Sequence, residues 1–198
     1  MKQFLAALLL VTSLTVNAQA VIYSELTPAY FLTLEDGATF NDQIDDQPYE
    51  FKVVNRKSEK GVKVKVGSSW KKHGAYHQFF SGTLKKTTRY KLGTRDGKEE
   101  TYRSGTDNLF KTTDWLDGKK EGVETSYHKN GNKSQEVSYS SDQKHGEAHW
   151  YDSDGSLSTE RQYENNVQHG LMKHYDKGRP THTQMFTNGK GGKTNWAK

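Results

Sequence analysis

A unit of about 24 residues recurs through the later part of this chain of 198 residues and constrains its fold more than any other feature. Each unit begins at a glycine, and Gly146 serves as the reference. An aromatic residue follows five positions later, a second glycine nine later and a second aromatic seventeen later, at Tyr151, Gly155 and Tyr163. A fixed period of this kind is typical of repeat architectures. About five and a half copies fill residues 71–198, and the starting glycines are Gly74, Gly97, Gly122, Gly146, Gly170 and Gly192.

Each unit has the composition of a β-hairpin. Asn130-Gly131, Asp154-Gly155 and Lys177-Gly178 lie mid-unit, and such dipeptides supply the positive φ of tight primed hairpin turns. Polar segments that end on glycine, such as DGKKEG and SDQKHG, join one unit to the next. Strands of about 5–8 residues fit between these turns. We therefore predict an all-β fold, an elongated single-layer antiparallel β-meander built from tandem hairpins.

The repeat creates two rows of aromatic residues. Leu84, Leu109 and Leu157 each lie six positions before the aromatic that closes their unit, and an even spacing puts residues on one face of a strand. We predict that both rows and these leucines share one face, which is the candidate binding face, and that the other face is polar. The leading row is Phe79, Tyr102, Tyr127, Tyr151 and Tyr175, and the closing row is Tyr90, Trp115, Tyr139, Tyr163 and Phe186.

The amino-acid composition agrees with a small hydrophobic core. Apolar residues are 31% of the chain, and the mean hydropathy is −1.00. Such polarity alone would favour disorder. The chain also contains 11 Tyr, 8 Phe and 4 Trp, and many of them stand at regular spacing, so we expect a folded single layer.

Residues 1–20, MKQFLAALLLVTSLTVNAQA, have the features of a secretory signal peptide. Lys2 precedes an apolar run from Phe4 to Val11, and small residues around Ala18 and Ala20 offer two cleavage sites. The run is shorter than the ~20 residues that a membrane span needs. With no cysteine, the chain has neither disulfides nor a lipid attachment site, which favours a bacterial envelope. We expect an exported protein of the periplasm or cell surface.

Residues 21–70 precede the clear units. FKVV from Phe51 and VKVKV from Val62 predict a hairpin that caps the first edge of the sheet. Residues 21–50 contain seven acids and no Lys or Arg. The later part of this segment is either a loop tucked onto the cap or an acidic patch for a basic partner. The candidate patch is Glu35, Asp36, Asp42, Asp45, Asp46 and Glu50.

The repeat also explains the densest group of potential metal ligands, in QKHGEAHWYDSDG from Gln143. His145 precedes its glycine as His73 does, and it would lie about 13 Å from His149 along a strand, too far to share a metal ion. The DSDG that follows is a mid-unit turn without the later ligands of a calcium loop. No nucleophile elbow, phosphate loop or His-Glu-x-x-His motif is present. We expect no catalytic residue, no metal and no cofactor.

The pattern DGKKEG-VETSY-HKNG, repeated as QKHG-EAHWY-DSDG and NVQHG-LMKHY-DKG, resembles the MORN-repeat variant of bacterial envelope and antitoxin-like proteins. The resemblance covers about 125 residues, and the glycine and aromatic positions carry it. It implies a non-catalytic, elongated β-meander that contacts proteins or lipids. It also implies an antitoxin-like role, of which an immunity protein that neutralises a toxin is one concrete form.

Charge bears on the choice of partner. From Phe51 onward the chain has 28 basic and 17 acidic residues, which alternate rather than cluster. Together with export, this alternation argues against nucleic acid. We expect a protein partner, with an anionic lipid surface and a purely structural envelope role as the alternatives. The sequence leaves the oligomeric state open.

Overall fold

The computed structural model describes residues 35–197, and these form a single open antiparallel sheet without helices. The all-β, single-layer meander of hairpins is thereby confirmed. The predicted signal peptide at residues 1–20 lies outside the described residues. The strands are β1 (Thr39–Ile44), β2 (Gln47–Asn55), β3 (Glu59–Val66), β4 (Ser69–Phe80), β5 (Thr83–Lys91), β6 (Thr94–Arg95), β7 (Gly97–Tyr102), β8 (Leu109–Leu116), β9 (Lys119–Tyr127), β10 (Lys133–Ser140), β11 (Gln143–Tyr151), β12 (Leu157–Glu164), β13 (Val167–Gln168), β14 (Gly170–Asp176), β15 (Arg179–Thr187) and β16 (Lys190–Trp196).

Strand order in the sheet follows chain order from β1 to β16. The two-residue strands β6 and β13 pair with β5 and β12, and each is followed after one residue by a longer strand, β7 or β14. Successive hairpins therefore add to the same edge. This connectivity lets a repeating sequence build one continuous sheet.

Tight primed turns join one unit to the next. At Asp117-Gly118, φ is 48° and 82°, and at Ser141-Asp142 it is 49° and 68°, as a type I′ turn requires. Mid-unit turns are more varied than predicted. Gly131 has the expected positive φ of 92°, but Asn130 does not, and this turn is a longer one.

The starting glycines of the five complete units belong to strands, and each lies directly opposite the closing aromatic of its own unit. Gly122 is paired with Tyr139, and Gly146 is paired with Tyr163. Gly122 has a φ of 98° and Gly146 one of 93°, in the region that glycine occupies without a steric penalty. The glycine that begins each complete unit in the sequence is therefore a point of positive φ along the strands, whereas Gly192 of the truncated unit has no positive φ.

A β-bulge in the second strand of each unit shifts the alternation of side chains. Trp150 is paired with Thr159, whereas the next residue, Tyr151, is paired with Leu157, so Ser158 is extra. The shift moves Leu157 to the face of Tyr151 and away from the face of Tyr163. The residues at this position in the five units are Lys85, Phe110, Ser134, Ser158 and Thr181.

The two aromatic rows consequently lie on opposite faces of the sheet, and the prediction of one shared aromatic face is wrong. Trp150 and Arg161 share a face with Tyr163, and Tyr151 follows Trp150 in a strand that alternates regularly. We call the face of the closing row the closing face, and the face of the leading row the leading face. All ten aromatic side chains are half-buried.

The main apolar core lies in the first strands, on the leading face. It consists of Ile44, Phe51, Val53, Val62 and Val64, with Phe40, Tyr49 and Leu92 packed against it. The predicted segments FKVV and VKVKV lie in β2 and β3, which pair as a hairpin. The acidic stretch forms β1 and the start of β2 and is not a loop. Asp45 in the first turn is 2.8 Å from Lys91, four strands away, so the sheet curls over this core.

In the later strands, short polar side chains occupy the centre of both faces. Thr112 and Thr113 are adjacent in β8 and point to opposite faces, yet their exposed fractions are 6% and 3%. Long neighbouring side chains cover them from both sides. A single layer can bury threonine in this way, which accounts for the low apolar content of the chain.

Candidate binding surfaces

Basic side chains lie over the aromatic rings of the closing face. The guanidinium carbon of Arg95 is 3.5 Å from the centre of the Trp115 ring. Lys120 Nζ is 4.6 Å from the Tyr139 ring, and Lys144 Nζ is 5.4 Å from the Tyr163 ring. Such cation–π contacts are worth about 0.5–2 kcal/mol each. In these units the cation stands two residues before the starting glycine.

The closing face carries a clear excess of positive charge. Glu99 is paired with Lys86 at 3.2 Å, and Glu124 with Lys120 at 2.7 Å and with Lys111 at 3.5 Å. The only other acid on this face within the described strands of the repeat units is Asp176, which lies opposite Arg179 at the end of β14. Among residues 35–197, Lys65 on this face is paired with Glu50 at 2.9 Å, but several further cations on it have no carboxylate at ion-pair distance. They include Lys72, Arg95, Lys144 and Arg161.

Charges on the leading face are balanced. Arg89 is paired with Glu100 at 3.4 Å, and Lys98 with Asp114 at 3.1 Å. Further along the sheet, Lys173 Nζ lies 2.8 Å from Glu160. The two faces of the sheet therefore differ in electrostatic character, although both carry aromatic rings.

The leading-row tyrosines are joined to this charge network. The Tyr151 hydroxyl donates a hydrogen bond of 2.8 Å to Glu136, which Lys133 also contacts at 2.7 Å. Burial and the neighbouring carboxylate raise the pKa of Tyr151 to about 12. Burial raises the pKa of Glu136, but hydrogen bonds from Lys133 and Tyr151 outweigh it and hold that pKa below its usual value.

We expect Tyr151→Phe to destabilise the protein by about 1 kcal/mol at pH 7, because Glu136 loses a donor. The lowered pKa of Glu136 means that its stabilising effect is present above pH 4.5 and is lost as pH falls through the folded-state pKa. The difference from wild type should therefore shrink below pH 4. Urea denaturation at a series of pH values measures it. Tyr127→Phe is the control in the same row, and equal pH dependence of the two variants would contradict the prediction.

The six acids of the predicted patch do not form one surface. Asp36 accepts hydrogen bonds from Asn55 N and Arg56 Nε, both at 3.1 Å, and these contacts lower its pKa. Asp45 is paired with Lys91 and Glu50 with Lys65, at 2.8 and 2.9 Å. Asp42 faces the same side as Ile44, whereas Glu50 faces the other. Glu35 and Asp46 are exposed. Internal ion pairs therefore use at least half of this charge.

The described residues bring no cluster of three or more His, Cys, Asp or Glu side chains together as a metal site. His145 and His149 lie on one strand, and His149 is instead 3.7 Å from Glu147.

Residues 35–197 include no helix that is long and apolar enough to cross a membrane.

Exposed aromatic side chains occur at two separate places on the closing face, in β4 and in β16. Phe80 and Trp196 are 68% and 74% exposed. Trp196 packs 4.9 Å from the His182 ring, which stacks on His174 at 4.4 Å. The stack was not predicted, because its three residues come from three different strands and fall outside both aromatic rows.

No family model matches this chain, and no curated protein matches it. The resemblance to MORN-repeat proteins therefore depends on the glycine and aromatic positions of the repeat itself.

Proposed function

We propose that this chain is an exported, non-catalytic repeat protein that binds an acidic protein partner in the cell envelope through its closing face. The difference in charge between the two faces carries this proposal. The closing face has an excess of cations without carboxylate partners among the described residues, whereas the leading face has several internal ion pairs and acids that balance its cations. A face with one sign of charge attracts and orients a partner of the opposite sign.

The cations of the closing face are held in position before a partner arrives. Arg95 and Lys144 rest on aromatic rings that are themselves half-buried between strands. Fixed side chains lose less conformational entropy on binding than free ones, so each contact contributes more to affinity. Each unit adds two strands and advances about 10 Å, which spreads the cations along an extended surface.

The twist of the sheet favours a protein over a flat membrane as the partner. Neighbouring strands rotate by roughly 20–25°, so cations in successive units point in different directions. A flat surface meets only some of them at once, whereas a protein surface can follow the curve. We therefore favour a protein partner over an anionic membrane surface.

Reversing charge on the closing face tests this function. We expect Lys144→Glu with Arg161→Glu to weaken capture of an acidic envelope protein at least about tenfold, because attraction becomes repulsion. Lys119→Glu with Lys190→Glu makes the same change in net charge at exposed leading-face positions and should alter capture less than about twofold. The measurement is quantitative pull-down with the chain from Val21 at several salt concentrations. An equal loss of capture in both double variants would contradict the proposal, because it would show that binding depends on the total net charge and not on the closing face.

An anionic membrane surface is the second candidate, and the exposed Phe80 and Trp196 on the same basic face favour it. It predicts sedimentation with vesicles that contain anionic lipid, lost as salt rises. No sedimentation at low salt would remove this candidate.

A toxin-neutralising immunity protein is the narrower form of the first proposal. The MORN-like repeat and the signal-like N-terminal sequence support it. It predicts that cells lacking the gene become sensitive to a toxin of their own or of sibling cells. Unchanged sensitivity would leave the binding proposal in place and remove the immunity role.

A further inference from the structure

The turn that follows Tyr102 departs from all other units of the repeat. A hydrogen bond of 2.9 Å from Arg103 N to Asn108 O closes a turn of six residues. The equivalent bonds in the next two units close five residues, from His128 to Asn132 and from Asp152 to Ser156. The extra residue explains why the spacing from Gly97 to Gly122 exceeds that of the neighbouring units.

The bulge beside this turn is also exceptional. Phe110 occupies the position that Lys85, Ser134, Ser158 or Thr181 fills in the other units. Phe110 is the only aromatic residue among these five bulges. Its side chain is 46% exposed, which is a high exposure for an aromatic ring. The Arg103 guanidinium lies 5.2 Å from the Phe110 ring. Phe110 and Arg103 therefore lie together at a mid-unit turn, where the other units have no such aromatic–cation pair.

These residues border a groove of about 540 Å³ at the rim of the sheet. A second concavity of about 320 Å³ adjoins it and shares Asn108 and Lys129. Asp107 lines the second concavity, but no acid lines the first. The groove lining combines aromatic, cationic and small polar side chains, namely Tyr102, Phe110, Arg103, Lys129, Ser104, Thr106 and Asn108.

Arg103, one of the two cations of the groove, is held by the surrounding structure. Arg103 donates one hydrogen bond to the carbonyl of Tyr127 in the next unit, and its Nε is buried without a partner in the described residues. Lys85 Nζ donates to the Ser104 hydroxyl at the groove margin. Lys129 is exposed in the facing turn. Among the described residues, neither Arg103 nor Lys129 has a carboxylate at ion-pair distance, and the only acid that lines either of the two concavities, Asp107, lines only the second.

We propose that this groove binds an acidic sugar, a pyranose ring that carries a carboxylate. The apolar face of the ring packs against Phe110 and Tyr102, and its hydroxyls reach Ser104, Thr106 and Asn108. Its carboxylate meets Lys129 and Arg103 in charge-assisted hydrogen bonds. A simple anion would leave the aromatic wall unused, and a neutral sugar would leave the cations unpaired.

The volume and position of the groove agree with this ligand. Ligand sites of about 300–1,000 Å³ with a few polar groups among apolar ones are usual for small molecules. The groove lies at the mid-unit turns, away from Arg95 and Lys144 of the closing face. Sugar binding is therefore independent of the protein-binding function proposed above.

Nuclear magnetic resonance titration of the chain from Val21 tests the proposal, with glucuronate, glucose and acetate as probes. We expect glucuronate to shift the amide signals of residues 102–110 and 127–131, and glucose and acetate to bind at least about tenfold more weakly. Lys129→Gln should weaken glucuronate binding at least about fivefold without affecting the fold, because Lys129 is exposed. Phe110→Ser, which introduces the residue found at two of the other bulges, should weaken glucuronate binding by a similar factor.

Lys177→Gln is the matched control, an exposed turn lysine on the same rim of the sheet, and it should leave glucuronate binding unchanged. A glucuronate oligomer that binds the same residues more tightly would identify the source as an acidic polysaccharide, and equal affinity per ring would identify the free sugar. Equal shifts with acetate, shifts scattered over the basic surface, or no shift at all would overturn the proposal.

Discussion

We expect Phe51→Ala to destabilise the protein by about 3–5 kcal/mol, because it removes a large, fully buried side chain. The exposed fraction of Phe51 is 0%, and its ring stacks on Phe40 at 5.3 Å and meets His73 edge-on at 5.9 Å. Domains of this size are stable by only about 5–15 kcal/mol, so this loss is a large share of the total. Chemical denaturation followed by tryptophan fluorescence measures it.

Phe80→Ala is the control for this prediction. It removes the same side chain from a site that is 68% exposed, so it should change stability by less than about 0.5 kcal/mol. Because repeat arrays are held together by contacts between neighbours, hydrogen exchange should increase most in β1 to β4 of the Phe51 variant. Equal costs for the two variants, or uniform exchange along the sheet, would show that the core does not lie where the structure places it.

We expect Gly61→Ala to cost about 2–3 kcal/mol through overpacking. A Cβ atom at this position would lie 2.4 Å from Tyr76 Cδ2 and 3.0 Å from two further ring atoms. The Tyr76 ring is only 1% exposed and cannot swing away without disturbing the strands around it. Thermal and urea denaturation report the loss.

Gly82→Ala separates this effect from backbone strain. Gly82 has a φ of 79°, and a Cβ there would meet nothing within 4 Å. The substitution should therefore destabilise the protein only by the about 1–2 kcal/mol that a non-glycine residue costs in the left-handed backbone region. A second check is coupling: Gly61→Ala should cost less when Tyr76 has been replaced by alanine, because the clash is then absent. Additive costs in the double variant would refute the clash with the ring.

The sequence repeat predicts the hairpins well because turn chemistry and strand length are local properties. Glycines and polar junctions at a fixed period can close hairpins in any surroundings, and the sheet follows from adding them in order. The role of Gly146 was less predictable. In sequence it ends a polar junction, but in the structure it lies opposite Tyr163 within a strand, where pairing with the next strand decides its conformation.

One signal for the candidate site was present in the sequence and was missed. Arg95, Lys120 and Lys144 each stand two residues before a starting glycine. This regular cation predicts a contact with a regular aromatic, and the structure places both in neighbouring strands of the closing face. The groove at Phe110 had a weaker signal, namely one unit with an extra residue and an aromatic where the others have polar or small residues.

The repeat period, the hairpins and the small apolar core follow from the sequence alone, because each depends on residues close together in the chain. Which side chains share a face depends on how the strands pair in the folded sheet. Alternation along a strand has a period of two, so the single extra residue at Ser158 and its equivalents reverses every assignment beyond it. A bulge is visible only in the pairing of two strands. For that reason the two aromatic rows separate onto opposite faces, and the charges of the closing face stand apart from those of the leading face.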